Sequence, residues 1–171
     1  MKHLSSSSVH PQKLILTMTS RTEKIEAIRA LPLELTAAVE NLNKKQLEAP
    51  YRVGGWTARQ IVHHIADSHM NGFIRMKLVL AEDCPMLKPY DQDEWASFID
   101  YTCDIEPSLA IISGVHERMV KVLENVREEE WQRVGNHPEH GEITLDFLLD
   151  LYSGHGKNHV QQIMKCAEVV V

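Results

Sequence analysis

Apolar residues recur along this chain in the three- and four-residue steps of helix faces. From Thr22 to about Lys45 the stripe is Ile25, Ile28, Leu31, Leu35, Val39 and Leu42, and Pro32 is expected to bend or restart that helix. A second stripe, Ile61, Val62, Ile65, Phe73, Met76 and Leu80, begins behind Thr57, a residue able to cap it, and stops before Pro85. The third follows Pro107 with Leu109, Ile112, Met119, Leu123 and Val126. The fourth opens at Thr144, after Gly141, and carries Leu145, Leu148, Leu149, Tyr152, Ile163 and Cys166. No segment alternates convincingly with the period of a strand. The pattern therefore predicts an all-α fold, a four-helix bundle, antiparallel or crossed, as one domain over residues 19–171. Residues 1–18, with the run Ser5 to Ser8, read as a flexible tail, and Met18 is a second candidate start. Two connections, Glu82 to Glu106 and Trp131 to Ile143, are longer than a bundle needs. They are expected to wall a pocket at one end, the first with a helical turn from Glu94 to Ile99.

Composition narrows the function classes. A net charge of -6 with scattered Lys and Arg leaves no footprint for a phosphate backbone, so nucleic acid is not an expected partner. No apolar run approaches the ~20 residues of a membrane span, so no membrane association is expected. Cys84, Cys103 and Cys166 form an odd set without a Cys-x-x-Cys spacing, which fits a reducing cytoplasm and argues against a disulfide framework or a thiolate zinc site.

The histidines change the picture. There are 10 in 171 residues, and His63, His64, His69, His137, His140, His155 and His159 fall within two short segments. In His155-Gly-Lys-Asn-His159 the two rings are four residues apart, so on a helix they share a face and can share a metal ion. At roughly 100° per residue both lie on or beside the stripe of Leu148, Tyr152 and Ile163, pointing inward, where an imidazole needs a partner. For an isolated pair an accidental spacing is the commoner explanation. A third ring from the second helix would complete a site with open coordination positions. Periodicity does not select that ring: His69 sits nearest the centre of the apolar face, while His64 lies on a flank beside the small Ser68 and Gly72, which leave space for a cleft.

The run from Pro50 to Asn71, with Gly54-Gly55-Trp56-Thr57 and His63-His64-Ile65-Ala66-Asp67-Ser68-His69, resembles the second-helix segment of the YfiT-type members of the DinB superfamily. The resemblance continues through Arg75, Lys77, Pro89-Tyr90-Asp91, Trp95, His137-Pro138, Ile143-Thr144-Leu145 and Leu151 to His159, covering roughly residues 24 to 168. It implies a DinB/YfiT-like four-helix bundle holding one divalent metal ion on His64, His155 and His159. It also implies a homodimer and an activity of metal-dependent hydrolysis. Lys157 and Asn158 stand where the family is richer in histidine, and the family's N-terminal Tyr-Pro segment is missing. These departures touch the rim rather than the ligand set.

Zinc is the first expectation for the ion and nickel the second, since neutral imidazoles suit both. An ion with an open position activates water for hydrolysis of a small-molecule substrate or activates a bound thiol; the resemblance implies, for the second case, S-transfer from a low-molecular-weight thiol such as bacillithiol. A non-catalytic, metal-stabilised helical module is the reading from another class. Asp67, one turn beyond His64, is a candidate to orient an imidazole. His116 is a candidate for a supporting or proton-transfer role, although a satisfied core histidine is the commoner case. Trp56, Tyr90 and Trp95 are candidate pocket walls that ordinary packing would equally explain.

Overall fold

A computed structural model describes residues 20–168, so the expectations for residues 1–18 lie outside the described residues. Four long helices form the body: α1 (Arg21–Val39), α3 (Ala58–Ala81), α5 (Glu106–Leu123) and α6 (Leu145–Ala167). Short helices α2 (Lys44–Leu47) and α4 (Gln92–Ala96) and two 3-10 turns fill the connections.

Each long helix but α5 begins where a side chain satisfies its free N–H groups. The Ser20 and Thr57 hydroxyls accept from the amides of Glu23 and Gln60, whose side chains accept in return from the Ser20 and Thr57 amides. Thr144 Oγ1 accepts from the Phe147 amide at 3.0 Å. α5 instead has Pro107 in its first turn, where the missing N–H costs no helix bond.

Three elements depart from the sequence expectation. α1 ends at Val39 rather than near Lys45, because Asn43 accepts from the amides of Lys45 and Gln46 and so starts a separate helix. Helix α1 also runs through Pro32 without a break. The turn expected at Glu94 to Ile99 is divided: Asp91 caps α4, and a 3-10 turn follows over Ile99–Thr102. A two-stranded antiparallel hairpin, β1 (Val134–His137) with β2 (Gly141–Thr144), stands where no strand was expected. Four residues a side are too few for a period of two to register, and the φ of +69° at Gly141 marks the turn that makes the pairing possible.

The helices do not follow one another around the bundle. α1 packs against α5 and α6, and α3 also packs against α5 and α6, so α1 and α3 face each other across a diagonal, as do α5 and α6. The hairpin belongs to one such diagonal connection. It is fastened to the segment after α3, with the Leu87 amide donating to the Asn136 carbonyl and the Asn136 amide to the Pro85 carbonyl.

The apolar interior falls into two blocks. One contains Ile25 and Ile28 of α1, Phe73, Met76 and Val79 of α3, Met119 and Leu123 of α5, and Leu145, Leu148 and Leu149 of α6. The other contains Leu31 and Leu35, Ile61, Val62 and Ile65, Ile112, and Ile163. On α3, α5 and α6 histidines stand between the two blocks: His69, His116, and His155 with His159. On α1 the boundary falls at Ile28 to Leu31, one step before Pro32.

Two glycines set how closely α6 approaches its neighbours. A Cβ on Gly156 would overlap the Leu31 side chain of α1, and one on Gly72 of α3 would overlap the Tyr152 ring. The space beside Gly72 is therefore filled by Tyr152 rather than left as a cleft beside His64. That ring is fixed edge-on to His69 at 5.2 Å and bonded through its hydroxyl to Arg75, so it cannot swing away. Gly72→Ala gains roughly 1 kcal/mol of helix propensity but overpacks a rigid contact at a cost of about 1–3 kcal/mol. The expected result is a net loss of up to about 2 kcal/mol, seen as a lower urea midpoint with unchanged m-value. A midpoint above wild type would contradict the close contact.

Candidate metal centre

α3 and α6 meet at the histidine layer, and there three imidazoles converge. His155 Nε2 lies 3.2 Å from His64 Nε2 and 3.1 Å from His159 Nε2, and the three donor atoms all lie within 4.8 Å of one another. A tetrahedral ion with metal–nitrogen bonds of ~2.0–2.1 Å places its donors roughly 3.3 Å apart. The spacing of the rings thus fits one small divalent ion, and three protein donors leave a fourth position open.

The electrostatics fit as well, because a ligand imidazole must be neutral. Burial holds His64 down to about 3, with His159 and His155 adding to the effect. Burial, and then His159, hold His155 to about 3. Burial also lowers His159, partly offset by Gln162. Gln162 has a second effect: its Oε1 lies 2.8 Å from His159 Nδ1, an acceptor that fixes the proton there and leaves Nε2 free for an ion. His64 has no hydrogen-bond partner at Nδ1 and is oriented by packing, edge-on against Trp56 at 4.6 Å.

Of the residues singled out in the sequence, the structure brings His64, His155 and His159 together and puts Trp56 against them. His69 does not join the cluster; it is fully buried, with Nε2 3.0 Å from His155 Nδ1 on the far side of that ring. His116 lies beyond it, Nε2 to His69 Nδ1 at 2.8 Å, and is buried at 1% exposure. Asp67 orients no imidazole: its carboxylate accepts from the Tyr101 hydroxyl at 2.8 Å, tying α3 to the 3-10 turn. Tyr90 lines the cleft and packs against Trp95, with centroids 4.3 Å apart. Gln162 and Tyr101 escaped the sequence reading. Gln162 carried a signal, since it lies three residues beyond His159 on the same helix face.

A cleft of about 220 Å³ reaches His155 from outside, lined among others by Ser68, Arg75, Tyr90, His137 and Tyr152. Both long connections contribute walls, Tyr90 from the first and His137 from the hairpin. Arg75 donates to the Lys88 carbonyl and keeps its buried Nε without a partner. At the rim His137, Glu139 and His140 form a second, more exposed group of donor atoms.

Bundle and donor set together define a class of helical proteins with three histidines suited to one divalent ion. Comparison with known proteins agrees. The DinB superfamily model matches residues 27–163, and the chain belongs to that superfamily. A Bacillus cereus protein named "Putative metal-dependent hydrolase" is 45% identical over 139 residues, 81% of this chain and 80% of the relative. A Bacillus thuringiensis protein of the same description matches to the same extent. Among solved structures, YfiT from Bacillus subtilis, described as a "probable metal-dependent hydrolase with an unusual four-helix bundle topology", superposes with a TM-score of 0.84 at 36% identity, covering 92% of this chain and 91% of that one. No helix among the described residues is long and apolar enough to cross a membrane.

The lowered imidazoles give a pH dependence whose sign is determined. Unfolded, such a ring titrates near 6.5, whereas folded His64 and His155 stay neutral down to about 3. As pH falls the unfolded chain takes up these protons first. Stability is thus fully present above about 6.5 and is lost between there and about 3, by up to ~1.4 kcal/mol per pH unit for each ring. Chelator-treated protein is expected to show a lower urea midpoint at about pH 5 than at about pH 7.5. An equal or higher midpoint at the lower pH would sink the neutral-ring assignment.

Proposed function

We propose that this chain is a metal-dependent hydrolase that holds one divalent ion, zinc before nickel, on His64, His155 and His159. The convergence of three neutral Nε2 atoms, on rings one of which, His155, also lines a solvent-connected cleft, is the observation that carries this reading. A bound ion with an open position supplies Lewis acidity that makes water a nucleophile near neutral pH.

The protein's own residues do the rest. Gln162 and the buried rings behind His155 hold two of the donors in orientation, and Trp56 shields the edge of His64 from solvent. The substrate is a small molecule entering between Tyr90 and the hairpin. Arg75, with its unpartnered Nε, and His137 supply polar contacts that orient it. The names of the relatives support hydrolysis as the reaction, and the cleft supports a small substrate.

The test is elemental analysis of purified wild type, His64→Ala, His159→Ala and His69→Ala after saturation with zinc and removal of the excess. Wild type and His69→Ala are expected to hold about one ion per chain and the other two variants well below that. Loss of stoichiometric metal from His69→Ala alone would assign the third ligand to His69 instead. Wild type stripped by a chelator should keep its helical circular dichroism yet lose at least ~100-fold in hydrolytic turnover, restored by zinc. Collapse of the fold on stripping would point to a structural ion. Turnover only in the presence of a low-molecular-weight thiol would move the assignment to S-transfer.

A further inference from the structure

Behind the three-ring cluster the imidazoles continue into the protein as a line. Ile28 O lies 2.6 Å from His116 Nδ1, His116 Nε2 is 2.8 Å from His69 Nδ1, and His69 Nε2 is 3.0 Å from His155 Nδ1. The line joins α1, α5, α3 and α6 in turn, and it begins at an unusual carbonyl. In an uninterrupted helix Ile28 O would accept from the amide of residue 32, but residue 32 is proline and has no N–H.

That one fact orients every bond in the line. A carbonyl oxygen only accepts, so His116 Nδ1 must carry a proton and donate it. His116 and His69 are buried among apolar residues, and among the described residues no carboxylate is hydrogen-bonded to any ring of the line. At 0% and 1% exposure, and with no counter-charge bonded to them, His69 and His116 are accommodated as neutral rings, each with one donor and one acceptor nitrogen. His116 Nε2 is then an acceptor, which requires the proton of His69 on Nδ1. His69 Nε2 is in turn an acceptor, which requires the proton of His155 on Nδ1. The remaining lone pair of His155 sits on Nε2 and points into the cluster with His64 and His159.

We propose that His69 and His116 are positioning residues which, anchored on the carbonyl freed by Pro32, lock His155 in its Nδ1–H tautomer and hold its ring ready for an ion. This inference rests on the metal reading for its purpose but not for its geometry. The lock leaves lone pairs of His155 and His159 facing each other at 3.1 Å, an arrangement that a cation relieves. Every other pairing of protons in the line would leave a buried donor against a donor, or an acceptor against an acceptor.

The experiment has two readouts on the full chain. Long-range proton–nitrogen NMR on metal-free wild type near neutral pH assigns the tautomers directly; Nδ1–H is expected on His116, His69 and His155. An Nε2–H tautomer, or an imidazolium, at His69 or His116 overturns the proposal whatever the metal does. Zinc affinity is then measured by competition with a chromophoric chelator. His69→Phe and His116→Leu are expected to keep one-to-one binding but weaken it ~10–100-fold, the usual loss when a partner of a ligand ring is removed. His116→Gln, whose amide can donate to Ile28 O while its carbonyl accepts from His69, should recover most of that loss, which relief of a packing defect alone would not require. Unchanged affinity in both apolar variants overturns the proposal. A wild type that binds no zinc sinks the metal reading, and the tautomers of the same sample still decide for or against the lock.

Discussion

The structure depends on one constraint: a layer of imidazoles lies inside a bundle whose remaining interior is apolar. Water is largely excluded there, so each ring must stay neutral and find partners for its nitrogens among its neighbours. Apart from His64, whose Nδ1 has no partner, the rings solve this mutually. His116 takes a helix carbonyl, His69 spans His116 and His155, and Gln162 satisfies His159. The two apolar blocks on either side supply the burial that stabilises the bundle, and the layer between them supplies its chemistry.

Several local features make sense only against that layer. Pro32 would ordinarily weaken a helix by removing an amide and leaving a carbonyl unpaired. Here the carbonyl is met from α5 by His116, so the proline is both tolerated and connected to the site. Gly156 and Gly72 allow α6 to sit close to α1 and α3, which brings His155 and His159 within reach of His64 and His69. The hairpin closes the side of the bundle near Tyr152 and forms the outer wall of the cleft.

The cluster is asymmetric in a way that matters for function. His155 and His159 are partly open toward solvent, whereas His64 is buried against Trp56. An ion held on these rings would be anchored from within on the His64 side and less enclosed on the side of His155 and His159, the arrangement expected of a reactive rather than a purely structural centre. The relatives' description as metal-dependent hydrolases agrees with this geometry, and Arg75, Tyr90 and His137 line the cleft beside it.

The four long helices, their caps at Thr57 and Thr144, and the inward face of His155 and His159 were legible in the sequence, because helix periodicity and N-capping are local properties that neighbouring residues specify. The family resemblance of the Pro50 to Asn71 segment also pointed to His64. Periodicity alone could not choose between His64 and His69, since both lie toward the interior and the choice turns on which helix each one meets. The diagonal order of the bundle decides that: it turns His64 toward the Nε2 atoms of α6 and His69 toward His116 and the back of His155. The same non-local packing fills the space beside Gly72, gives Asp67 to Tyr101, and forms a hairpin from strands too short to signal themselves. Local pattern determined the helices and supplied the chemical groups, and only long-range packing decided which nitrogen faces which, because a hydrogen bond spanning 88 residues leaves no periodic trace in the chain.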